Sequence, residues 1–463
     1  MYRPLLLIAL LLYGFVHCQT PPLKVSKNKR FLVQQDGTPF FWMADTAWEL
    51  THRCSREEID YYLEKRHTQG FNVIQTVALA ELDGLHTPNR EGHLPLLADD
   101  PSQPNPDYFS LIDYLLEKAQ IRGMYIALLP TWGDKVFTES WGVGPEVFHE
   151  ENALAYGQWL GKRYAGVTNL IWIIGGDRNP RAGSGDVSIW NALAEGIVQG
   201  TGDNGKALMS FHPQPKNGGG SSTWFHNEEW LDFNMHQTGH CNSEPSYLKI
   251  RHDYELKPVK PVLDGEPLYE AHPLCFNASE LGYSTTSEIR RIMFQNVFAG
   301  AFGQTYGCHA VWQMYQPGRE PINGPLGPWQ ASLDLPMATQ VKHLKDLMLS
   351  RPFLSRIPDP EMLMEEKTET VMSPVATRDS RGRYAMVYLP QGEKVTLNLR
   401  ALKGDVLRLW WYDPRSGSAC PVEELKREEN MVFMPPATGS DWVLVLDDAS
   451  QNYPPPGRPV HTP

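Results

Sequence analysis

The chain of 463 residues has one long apolar run, Leu5 to Val16, and lacks any later one of comparable length. A helix needs about 20 apolar residues to cross a hydrocarbon core of roughly 30 Å, so that run is too short to span a bilayer. Polar, Pro-rich Gln19-Thr20-Pro21-Pro22 follows it. The expectation is a signal peptide over residues 1–18 and an exported product, secreted or periplasmic/cell surface, with no transmembrane segment. A lipid anchor on Cys18 is the rival reading. His17 stands where a lipoprotein signal wants a small residue, which weighs against it.

Positive charge is also scarce. Lys and Arg number 42 against 54 Asp and Glu, a formal net charge of -12 with no basic run, which argues against nucleic acid and anionic membranes as partners. Cysteine is sparse. Without Cys18 there remain Cys54, Cys241, Cys275, Cys308 and Cys420, enough for at most two disulfides and not a staple framework. No Gly-x-Ser-x-Gly elbow occurs. Gly218-Gly219-Gly220-Ser221 lacks the lysine of a phosphate loop and reads as a flexible rim loop. His236 and His240, four apart with Cys241 adjacent, could pair on a metal, but no His-Glu-x-x-His helix is present, and the expectation is no metal and no cofactor. Asn277-Ala278-Ser279 is a glycosylation sequon if the host is eukaryotic.

From residue 24 to 352, strand-like apolar runs alternate with helical periodicity, the pattern of a parallel sheet wrapped by helices. The runs are Phe40–Asp45, Phe71–Val77, Met124–Pro130, Leu170–Asp177, Ala207–His212, Phe233–Gln237, Pro261–Glu266 and a segment near Ala310-Val311-Trp312. Ser55 with Glu58 forms a capping box that starts the first helix, and Asp107 is expected to cap the second. Eight such units predict an α/β fold, a (β/α)8 TIM barrel. From 359 to 448 the texture changes to strand-length runs broken by Arg381-Gly382, Gln391-Gly392, Lys403-Gly404 and Asp413-Pro414 turns, which predicts a small antiparallel β-sandwich domain. The Pro-rich tail, 451–463, is expected to be disordered.

Three of the barrel runs end in an acid, and Asp177 on the fourth and Glu266 on the seventh are the candidate pair. Buried strands that close on carboxylates place them at the C-terminal rim, where such folds build their sites, and two acids facing across a cleft are the equipment of a glycoside hydrolase. Neighbouring strand ends carry Asp45, Trp48, Gln75, Trp132, Arg178, His212, His236, Gln237 and Trp312, with Thr76, Asp134, His240 and Gln313 beside them. Acids, amides and imidazoles bind sugar hydroxyls, and indole faces pack on sugar C–H faces; the chain has fourteen tryptophans to draw on. For each of these residues a purely structural duty is the competing reading, including a helix cap or an ion pair with Arg178 for Asp177.

With these segments on the page, the chain resembles the apiosidase-like glycoside hydrolase family. The resemblance is carried by Asp36–Trp48, Gly70–Gln75, Pro130-Thr131-Trp132-Gly133, Gly175-Gly176-Asp177-Arg178-Asn179-Pro180 and Asp264-Gly265-Glu266-Pro267. Trp411–Gly417 and Asp441–Leu446 resemble the small β domain that accompanies such barrels, once given a collagen-binding label. The resemblance implies an exo-acting hydrolase that removes apiose from rhamnogalacturonan II side chains of plant pectin, with Asp177 as general acid/base and Glu266 as nucleophile. One departure from the wider barrel pattern is Gly176-Asp177 where an Asn-Glu pair is usual, so the proton donor is shorter by a methylene. Retention of anomeric configuration is the expected outcome. The rivals are another glycosidase specificity on the same barrel and a non-catalytic carbohydrate- or matrix-binding protein.

Overall fold

The computed structural model describes residues 20–139, 141–202, 207–215, 219–365 and 369–458. The expected signal peptide with Cys18, part of the Gly218–Ser221 loop and the tail beyond 458 lie outside them.

Eight short strands carry the first domain: β1 Trp42–Thr46, β2 Val73–Leu79, β3 Tyr125–Thr131, β4 Leu170–Gly175, β5 Met209–His212, β6 Asn234–Gln237, β7 Val262–Glu266 and β8 Gly303–Tyr306. Every residue of β2, β3 and β4 is buried, as expected of parallel strands covered on both faces. Six of them form one curled parallel sheet in the order β8-β1-β2-β3-β4-β5, and β6-β7 is a parallel pair. A few hydrogen bonds join the two pieces on either side, among them two next to the strands. Phe302 N–H donates to Val262 O at 3.1 Å, and Ser210 Oγ donates to Phe233 O at 2.7 Å.

Helices α1 Arg56–Thr68, α2 Pro106–Ile121, α3 Glu150–Arg163, α4 Asp186–Thr201, α5 Ser222–Phe225, α6 Tyr247–Glu255, α7 Thr286–Phe298 and α8 Pro336–Leu349 follow the strands in turn. The Ser55–Glu58 capping box is present. At α2 the cap is Asn105, which accepts from Asp107 N–H with Pro106 opening the helix, so Asp107 is a residue of the first turn and not the cap.

The eighth strand is corrected. Ala310, Val311 and Trp312 form a single helical turn, His309–Trp312, and the strand is the preceding Gly303-Gln304-Thr305-Tyr306. A short apolar run does not by itself distinguish strand from helix. Gln304 and Thr305, buried inside the curled sheet, hide the strand from any hydrophobic reading.

The C-terminal domain is a six-stranded sheet, Arg356–Pro358, Val375–Asp379, Tyr384–Leu389, Trp442–Asp448, Val406–Asp413 and Ser418–Lys426 in spatial order, with a separate ribbon of Val395–Asn398 and Asn430–Phe433. Its pairings are all antiparallel. Successive side chains alternate faces, and both faces are used. Ala385, Val387, Leu389, Leu444 and Leu446 form the domain's own core under the ribbon, while Tyr384, Met386, Tyr388, Val443 and Val445 join the core of the first domain. Two buried bidentate pairs pin the junction: Arg290 with Asp441 at 2.7 and 2.8 Å, and Arg351 with Asp447 at 2.7 Å for both bonds. The tail is packed as far as Arg458, against the expectation of disorder. Tyr453 meets Tyr384 edge-on, Arg351 lies over its ring, and Pro456 is buried.

Candidate active site

Asp177 and Glu266 reach the same mouth by different local means. Glu266 is the last residue of β7. Asp177 lies two residues past β4, after a bend in which Gly175, Gly176 and Asp177 all take positive φ, 87°, 143° and 52°. Only glycine adopts that region freely, and a Cβ on Gly176 would lie 3.0 Å from the Trp132 ring. The Gly-Gly-Asp sequence is therefore the turn that aims the shorter aspartate.

His212, at the end of β5, lies between the two acids. Asp177 N–H donates to its Nδ1 at 3.3 Å. A donor directed at Nδ1 requires the lone pair there, which assigns the proton to Nε2, and Nε2 stands 3.0 Å from Glu266 Oε2. On the other side of Glu266, His240 Nε2 stands 3.2 Å from Oε1. Burial alone would push the Glu266 carboxyl up, but the contacts from His212 and then His240 outweigh it and hold the group down at about 2. Asp177 has the opposite balance. Burial first and the Glu266 charge second push it up to about 6, against the pull of Arg178, His212 and the Trp141 indole N–H, which donates to Oδ2 at 2.7 Å. A carboxylate pair with its pKa values driven apart is the pattern that separates a proton donor from a nucleophile.

The residues expected to line the site divide into two groups. Trp48, Trp132 and His212 pack on one another, with ring centroids 5.3 Å apart for Trp48 with each of the others and 5.9 Å for Trp132 with His212. Trp48 Nε1 donates to Tyr269 Oη, and buried Trp132 Nε1 has no hydrogen-bond partner among the described residues. Gln75 donates to Gly265 O, beside Glu266, at 2.8 Å, and its Oε1 is buried without a partner among the described residues, as is Oε1 of Gln237. Arg178 donates to Asp177 O at 2.7 Å and to Trp141 O, fixing both the acid and the loop that covers it. Trp312 closes the far edge, its Nε1 donating to His309 Nδ1 at 3.3 Å.

Asp45 and His236 are drawn elsewhere. Asp45 Oδ2 accepts from Tyr62 Oη at 2.5 Å and Arg66 Nε at 2.6 Å, both on α1. His236 Nε2 stands 3.1 Å from Asp253 on α6. Thr76 donates to Trp48 O at 3.4 Å. Asp134 pairs with Lys135 and accepts from Val143 and Gly144 N–H groups, bracing the Trp141 loop. Gln313 ties its own loop to Ile322. Cys241 is disulfide-bonded to Cys275, which removes it as a thiolate beside His240.

Residues that the sequence did not single out complete the surroundings. Trp141 comes from the long loop after β3. Tyr269, three residues after Glu266, has its hydroxyl pushed well up by burial and by the Glu266 charge. His272 stacks on His240 with centroids 4.2 Å apart, and His309 meets His272 edge-on at 4.4 Å. Burial pushes His309 down to about 4 and His272 lower still. Two neutral rings thus back the imidazole that touches Glu266. Apart from His309, which opens the single turn His309–Trp312, these lie outside the regular strands and helices, where no periodicity marks them.

Residues 26–355 match the family described as "Apiosidase-like, catalytic domain", and residues 357–447 match one described as "Putative collagen-binding domain of a collagenase". Among solved structures the chain is similar to a glycoside hydrolase family 5 protein from Bacteroides vulgatus, with 30% identity and a TM-score of 0.84 over 94% of this chain and 95% of the other. It is also similar to a protein described as a glycoside hydrolase, with 32% identity and a TM-score of 0.84 over 94% of this chain and 98% of that one. No curated protein matches. With its first domain covered by that family match, the chain belongs to the apiosidase-like family and is a glycoside hydrolase.

Proposed function

We propose that the protein is an exported, exo-acting, retaining glycosidase that removes apiose from pectic side chains, built on a closed (β/α)8 barrel. The observation that carries this reading is the contrast between the acids: Glu266 held ionised between two imidazoles, Asp177 driven towards its protonated form. Asp177 donates its proton to the departing oxygen while Glu266 attacks the anomeric carbon. Asp177, then a carboxylate, activates the water that releases the sugar. Retention has a physical basis in the same contrast. A carboxyl held at about 2 is a weak base for activating water in an inverting mechanism, since base catalysis wants a pKa near the operating pH. It remains a competent nucleophile and a good leaving group.

Closure of the ring is supported by the bonds that link β5 to β6 and β8 to β7. Export is supported by the Cys241–Cys275 disulfide, a bond that persists in oxidising compartments. Apiose as the sugar and plant cell-wall pectin as its source rest on the family. The test is to incubate the protein and its Glu266→Gln variant with apiose-bearing pectic oligosaccharides and identify what is released. Free apiose from the parent alone, first appearing with the anomeric configuration of the substrate, is the expected result. Release of a different sugar, or of the opposite anomer, overturns the specificity or the stereochemistry respectively.

A further inference from the structure

The loop after β7 carries an aromatic ring for which the two-acid mechanism has no use. Phe276 is 60% exposed. It and Cys275 are consecutive non-glycine residues in the left-handed region, with φ of 61° and 51°. Left-handed backbone is unfavourable for residues with a Cβ, and leaving a phenyl ring in water forgoes its burial. A short segment that accepts both costs is held there by its surroundings, and such strain gathers at ligand-contacting positions.

The surroundings are specific. The Cys241–Cys275 disulfide joins this loop to the one bearing His240, and Cys275 N–H donates to His240 O at 2.8 Å. The Phe276 ring stands edge-on to His240, with centroids 5.6 Å apart at 82°, and edge-on to His272 at 5.0 Å and 81°. Two stacked imidazoles therefore pack against one side of the ring, and the residue stays 60% exposed. His240 in turn touches Glu266.

The contacts give an order across the mouth: Trp141, Asp177, His212, Glu266, His240, Phe276. The leaving oxygen belongs beside the proton donor, so the aglycone lies towards Asp177. Phe276 is reached from the other acid, Glu266, through His240. We propose that Phe276 is a stacking platform on the glycone side, carrying the C–H face of the sugar ring whose bond is cleaved. The proposal rests on the glycosidase reading above and adds a specificity-determining contact to it.

The test uses two substrates that share the glycone and differ in aglycone, 4-nitrophenyl apioside and an apiose-bearing pectic oligosaccharide, with the parent, Phe276→Ala and Phe276→Trp. Stacking on one aromatic face corresponds to a KM change of roughly tenfold. Phe276→Ala is expected to raise KM about that much on both substrates with the pH profile unmoved, and Phe276→Trp to restore it. A rise on the oligosaccharide alone places the ring on the aglycone side and overturns the assignment. No rise on either overturns the platform, as does a fall in kcat with a displaced pH profile, which would make Phe276 a support for His240. Titrating Glu266→Gln and Glu266→Gln/Phe276→Ala with the same oligosaccharide separates this from the specificity proposal. Phe276-dependent binding without turnover by the parent overturns the activity and keeps the platform; neither binding nor turnover overturns both.

Discussion

The end of β4 and the end of β7 present the same functional group to the same cleft, and their surroundings treat it in opposite ways. Glu266 has an imidazole within 3.2 Å on each side. Asp177 has one indole N–H, and an arginine whose guanidinium is spent largely on backbone oxygens and stands 3.7 Å from the carboxylate. Both groups lose water. At β7 the contacts replace what burial removes, and the charge stays. At β4 they do not, and the proton is retained to about pH 6. The lesson is that two acids in one site are held in different protonation states by their neighbours, and that either state can be moved by changing a neighbour without touching an acid.

The harshest way to break the comparison is to remove Glu266, the proposed nucleophile. If the proposed mechanism holds, Glu266→Gln should lower kcat by about four orders of magnitude or more on every substrate, because it removes the group assigned to form the covalent intermediate. Asp177→Asn should cost roughly 10² to 10⁴ on a poor leaving group. With a 4-nitrophenyl leaving group, which departs without protonation, the loss in kcat/KM should shrink to within about tenfold. Asp177→Asn also reports on stability. The folded-state pKa of Asp177 lies above its ordinary value, so the folded state favours the protonated acid. Its penalty is absent below about pH 4 and develops as pH rises through about 6. The amide cannot ionise, so thermal melts should show the variant gaining on the parent between pH 4 and pH 7, by on the order of 1–3 kcal/mol. A difference that does not change with pH would mean Asp177 is not raised.

Next in size is His240→Gln, which removes one of the two imidazoles on Glu266. Losing it should raise the Glu266 pKa and move the acid limb of kcat/KM upward by about a unit, with kcat lower by roughly tenfold. An acid limb left in place would assign the low pKa to His212 alone.

How much of this was legible beforehand follows from side-chain periodicity. Most of the first seven strands show as apolar runs because both their faces are buried; β8 is equally buried, but polar Gln304 and Thr305 on its opposite faces hide it. Strand ends pointed to Asp177, Glu266, Trp48, Trp132 and His212. The same rule misplaced Asp45 and His236, each a single position out of phase: successive residues of a strand face opposite sides, and these two face α1 and α6. Trp141, Tyr269, His272 and Phe276 sit on loops, where position depends on the disulfide, on Asp134 bracing the β3 loop and on consecutive left-handed residues. None of these leaves a periodic trace.

The smallest effect expected is also the most direct reading of the contrast. Trp141→Phe keeps an aromatic ring over Arg178, where the indole now lies 4.7 Å from the guanidinium, and deletes only the N–H that Asp177 accepts at 2.7 Å. That donor favours the ionised acid, so its loss should raise the Asp177 pKa further. The proton donor is active while protonated, and kcat/KM falls as pH rises through its pKa. The alkaline limb should therefore move up by about half a unit, with the plateau changed by no more than about threefold. The acid limb, set at Glu266, should stay where it is. Movement of both limbs together would show that the two carboxyls titrate as one coupled pair, and that the division of labour between β4 and β7 is a property of the pair and not of its separate surroundings.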